Sequence, residues 1–81
     1  RVIFDIDITM PYPGLASDDA LDAVMEVVTA NTHLIDPCVL RTPNELALAA
    51  AVDATTEVEA ERLAYGAFVA AIATATHPTA A

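Results

Sequence analysis

The sequence predicts an α+β domain in the order strand, helix, strand, strand, helix, and three observations carry that prediction. From Arg1 to Met10 apolar and polar residues alternate, with Ile3 the exception, which is the period of a strand with one buried face. From Ser17 to Asn31, and again from Thr56 to Thr76, apolar residues recur at helical spacing. Between those helices lie two short apolar runs joined by Thr42-Pro43-Asn44-Glu45, a β-turn sequence. A right-handed crossover over the first helix carries the chain to the far edge of the sheet. The expected sheet is three-stranded, antiparallel or mixed, in the order 1-3-2, with both helices on one face.

The first strand covers residues 1–10, with Val2, Phe4, Ile6, Ile8 and Met10 on the inner face and Asp5, Asp7 and Thr9 on the outer. Pro11, Pro13 and Gly14 end it, and a helix over 17–31 follows, with Ser17 as N-cap and Asp18 and Asp19 in the first turn, where the helix dipole favours acids. Leu21, Val24, Met25 and Val28 form its apolar stripe, and His33 lies near the C-terminal end, where positive charge is favoured. The second strand covers 34–42, centred on Cys38, Val39 and Leu40, with Pro37 suiting an edge position because it has no N–H to donate. The third covers 45–54, with Leu46, Leu48, Ala50 and Val52 on one face. Thr56 and Glu59 have capping-box spacing and open a helix over 56–76, and residues 77–81 read as a frayed tail.

A chain of 81 residues accommodates one such domain and excludes a two-domain enzyme. At this size roughly 60% of the unfolded surface is buried, so the margin of stability is thin. Hydrophobic residues make up 56% of the chain and charged ones 19%, a balance that favours a globular fold over a disordered acidic tail. There is no Lys, and three Arg face twelve Asp and Glu, for a formal charge of −9. A nucleic-acid partner is excluded on that charge, because a phosphate backbone needs a basic surface. No apolar run reaches the roughly 18 residues of a membrane span, and the N-terminus lacks a basic region leading into an apolar stretch. The expectation is a cytoplasmic protein with no membrane partner. The single Cys38 cannot form an internal disulfide and is expected as a reduced, small core hydrophobe, and no zinc-ligand spacing occurs.

In its order of elements the segment from Arg1 to Thr76 resembles the small ferredoxin-like, split βαβ proteins, with the last strand missing. The resemblance is one of architecture, and such a fold hosts many unrelated functions. It implies that the first strand is an open edge, since a fourth strand would cover it in the complete fold.

Val2-Ile3-Phe4-Asp5-Ile6-Asp7-Ile8-Thr9 resembles the DxDxT motif of the haloacid dehalogenase-type phosphotransferases, in which Asp5 would be the nucleophile and Asp7 the acid/base beside Mg²⁺. Ile8 replaces the usual Gly, no Lys is present, 81 residues cannot hold that family's core, and its motif strand is buried on both faces, whereas this one alternates. The motif is therefore read as solvated face residues. Asp5 and Asp7 with Asp18 and Asp19 also resemble the calcium cluster of nucleoside hydrolases, but the spacing differs, and the second pair is accounted for by the helix dipole. A weak divalent-metal-dependent enzyme using Asp5 and Asp7 is the enzymatic alternative. Asp53, outward on the third strand, is expected to pair with Arg1 across the sheet. Cys38, His33 and His77 lack an orienting third group for nucleophilic catalysis. No catalytic, metal or cofactor-binding residue is assigned, and no cofactor is expected.

The informative surfaces are apolar. Leu63 to Ala73 contains no charged residue, with Leu63, Ala67, Ala70, Ala71 and Ala75 on one stripe and Tyr65, Phe68, Val69 and Ile72 on another, and Gly66 allows a backbone to approach. The outer face of the third strand carries Ala47, Ala49 and Ala51, with Ile3 beside them, where a solvated sheet face is usually more polar. Ile3, Ala47, Ala49, Ala51, Tyr65, Phe68, Val69 and Ile72 are the candidate interface residues. The expected function is a non-catalytic binding or structural module acting as a homodimer or higher oligomer. An acidic inhibitor or decoy that binds a basic protein is the alternative from a different class.

Overall fold

The alternation that begins at Val2 becomes a strand that pairs along its whole length. The computed structural model describes residues 2–11, 18–42 and 44–76. They form strand β1 (Val2–Pro11), helix α1 (Asp18–Ala30), strand β2 (Leu34–Thr42), strand β3 (Glu45–Ala54) and helix α2 (Glu57–Thr76). The sheet has the order β1-β3-β2, and both ladders are antiparallel, so the mixed alternative is set aside. This small α+β arrangement is compatible with a ferredoxin-like architecture. Arg1, the Pro13-Gly14 loop, the Ser17 cap, Pro43 and the 77–81 tail with His77 lie outside the described residues.

The β1–β3 ladder runs without interruption from Val2 opposite Ala54 to Pro11 opposite Glu45. β2 and β3 form a hairpin closed by Thr42 opposite Glu45, where the Thr42 hydroxyl donates to the Glu45 carbonyl at 3.4 Å. The β2–β3 register shifts by one residue between Ile35 and Cys38, so that Asp36 and Pro37 face a single residue of β3. Asp36 has φ 48°, the left-handed conformation that Asp tolerates better than most side chains. The shift has a direct cause in the sequence: Leu34 and Val39 are both buried, yet they are an odd number of residues apart, which a regular strand cannot place on one face.

One cluster forms the core. It takes Ile6, Leu34, Val39, Leu46, Leu48, Ala50, Val52 and Ala54 from the inner face of the sheet, Val24 and Val28 from α1, and Ala60, Ala64, Ala67, Phe68 and Ala71 from α2. Leu21 and Met25 of α1 pack against it, completing the expected stripe of that helix. Small residues on α2 let the helix lie close to the sheet, and Phe68 fills the space between them, fully buried. Two corrections follow. Phe68, expected on a second, partner-facing stripe, belongs to the core, while Ala70, expected in the core, is exposed. Cys38 is exposed on the outer face, because the shift at Asp36–Pro37 sends Val39 inward in its place.

Local hydrogen bonds account for the element ends. Asn31 N–H donates to the Val28 carbonyl, and the Asn31 side-chain oxygen accepts the His33 N–H at 2.8 Å, a turn that ends α1 and aims the chain into β2. His33 thus contributes through its backbone, three residues beyond the helix. At α2 the Thr56 hydroxyl accepts the Glu59 N–H at 3.1 Å. Glu59 reaches back one residue further than a standard capping box, accepting from both the N–H and the hydroxyl of Thr55. No helix among the described residues is long and apolar enough to cross a membrane.

Candidate functional site

Register places the outer face of the sheet row by row. Asp5, Ala51 and Ile35 form one row, Asp7, Ala49 and Cys38 the next, and Thr9, Ala47 and Leu40 the third, with Ile3 opposite Asp53 at one end. The centre is a trough floored by alanine, walled on the β1 side by Asp5 and Asp7 and on the β2 side by Ile35, Asp36 and Cys38, with Leu40 in the next row. Its volume is about 370 Å³. Both helices pack on the other face, so among the described residues nothing covers this one: Ile3 is 55% exposed, Leu40 59% and Ile35 40%. For a sheet this small, three large apolar side chains open to solvent around a strip of alanines form an uncovered patch.

Sequence reasoning found Ile3, Ala47, Ala49 and Ala51 on this face but missed Ile35 and Leu40. The parity of β2 cannot be read without knowing where the register shifts. A signal was present, since Asp36-Pro37 interrupts the strand between Leu34 and Val39.

A second depression follows the edge of β1 that faces away from β3. It holds about 550 Å³ and is lined by Asp5, Ile6, Asp7, Ile8, Glu57, Glu61 and Tyr65. Four consecutive strand residues cannot line a cavity on one face, because their side chains alternate; the wall is the backbone edge itself. Glu57, Glu61 and Tyr65 recur every fourth residue, a single row along α2 that runs beside that edge. Thus four carboxylates surround a strand edge that no described strand pairs, and among the described residues no Arg or His lines the groove.

The remaining candidates are dispersed. Tyr65 and Val69 of α2 are exposed, whereas Ile72 is partly buried against the core, so the second apolar stripe is split between core and surface. Asp53 lies opposite Ile3, and Arg1, its expected partner, lies outside the described residues. Among the described residues no group of three or more His, Cys, Asp and Glu could hold a metal ion. Asp5 and Asp7 stand opposite alanines on β3. The chain matches no protein-family model, no curated protein and no solved structure.

Proposed function

We propose that this protein is a non-catalytic binding module on a ferredoxin-like frame, and that it acts as a homodimer joined through the outer faces of its sheets. One observation carries the reading: the outer face exposes Ile3, Ile35 and Leu40 around the alanines at 47, 49 and 51, with both helices on the opposite side. Flat sheet faces with small central side chains pack on one another about 10 Å apart, and twofold pairing covers the same patch on both copies. Light scattering tests it. The expected mass is twice the 8.5 kDa of the chain at high salt, where the carboxylates of Asp5, Asp7 and Asp36 beside the apolar patch are screened, and the dimer is expected to persist as salt is raised. Leu40→Glu, at an exposed site, is expected to give a folded monomer; a dimer that persists in this variant excludes the outer face.

A second reading, capture of a basic protein, is favoured by the groove at the β1 edge, where Asp5, Asp7, Glu57 and Glu61 converge without a cation among the lining residues. Salt separates the two, since attraction to a basic partner weakens as ionic strength rises and apolar self-association does not.

A further inference from the structure

We propose that the β1 edge binds an extended, Lys- and Arg-rich segment of another protein by strand addition, the segment lying in the groove between β1 and α2 as a fourth strand. This inference rests on the basic-partner reading and gives it a site and a geometry.

The two edges of the sheet differ. β2 carries Pro37, a register shift and a residue of positive φ, three features that blunt an edge against pairing. β1 has an unbroken register over ten residues, with Pro only at its last position. Its outward backbone groups are the donors and acceptors that an added strand uses. The groove beside them is walled by α2, so an incoming strand would meet a surface on one face as well as an edge.

The lining selects the occupant. Side chains of an added strand alternate, one set rising beside Asp5 and Asp7 on the outer face and the other pointing over Ile6 and Ile8 toward Glu57 and Glu61. Both sets therefore meet carboxylates. Lys and Arg satisfy the inner positions twice, because their apolar stems cover the isoleucines while their heads reach the glutamates, and Tyr65 offers an aromatic face to a cation.

A second copy of this chain fits poorly. Antiparallel pairing of β1 with itself has two longest registers that keep the faces matched, centred on Ile6 or on Asp7, and each sets an Asp directly opposite an Asp. The edge thus repels its own kind and accepts the opposite charge.

The test uses a ten-residue peptide of alternating Lys and Val, titrated into the whole chain by calorimetry, with amide hydrogen exchange followed by NMR in the same samples. Binding is expected at about 0.05 M salt and is expected to fall at least roughly tenfold at about 0.5 M. Alternate amides between Phe4 and Ile8 are expected to gain protection of tenfold or more, and Glu57→Gln with Glu61→Gln, both exposed, to weaken binding roughly tenfold. Binding that leaves β1 exchange unchanged overturns strand addition while the basic-partner reading stands. No binding at the lower salt overturns both.

Discussion

Thr56 and Asp36 show how single residues hold element ends in place. The Thr56 hydroxyl satisfies the Glu59 N–H, one of the orphan donors at the start of α2, while Glu59 fastens the preceding Thr55. Thr56→Ala is expected to cost about 1 kcal/mol in urea unfolding, a substantial share for so small a domain. Thr56→Asp, which keeps an acceptor and adds charge favoured by the dipole, is expected to restore it. Asp36 sits at φ 48°, where a β-branched side chain is strained. Asp36→Val is therefore expected to lose about 1–2 kcal/mol, whereas Asp36→Gly should lie within about 0.5 kcal/mol of the parent. Equal losses for Val and Gly would show that the carboxylate, not the backbone, matters there.

At the scale of elements, α2 does two jobs with one helix. Its inner face is alanine with a single Phe, so Phe68→Ala removes the largest fully buried side chain and is expected to cost about 3–5 kcal/mol, enough to unfold much of the population. Gly66, on the exposed side of the same helix, has nothing within 4 Å of where a Cβ would stand. Gly66→Ala is expected to stabilise the protein by about 0.5–1 kcal/mol without altering its mass in solution; loss of the dimer would place the contact on α2 instead of the sheet. Most of the element pattern was legible in the sequence because Val2–Met10 alternates but for Ile3, a turn sequence precedes the apolar run Leu46–Val52, and Thr56–Glu59 announces a helix start. The two faces of β2 were not, because period two fails where a residue is inserted, and that one slip misplaced Cys38 and hid Leu40. Phe68 was misassigned for another reason: an alanine-rich helix has no sharp hydrophobic side, so the position of its core stripe is set by the shape of the sheet it meets. The edge groove was half visible. The open edge follows from the strand order, but bringing Glu57 and Glu61 beside Asp5 and Asp7 requires the helix in place.

The described residues form a slab, one sheet thick and one helix layer thick, with extents of 38 × 29 × 17 Å. Such a shape leaves half of the side chains of the sheet outside the core. If two copies share that face, folding and association are linked, and the melting temperature should rise with protein concentration; a midpoint constant over a hundredfold range of concentration, on the order of what linkage needs to be visible, would indicate an independently stable monomer. The register shift in β2 bears on the same assembly. In an ordinary strand, deletion of one residue turns every later side chain inside out. Here, removing Asp36 leaves Leu34 and Val39 an even number of residues apart, so a shortened β2 can run straight with both still inward. The core is therefore expected to survive a one-codon loss, and under the proposed strand addition the extra residue marks β2 as the margin less suited to receiving a further strand.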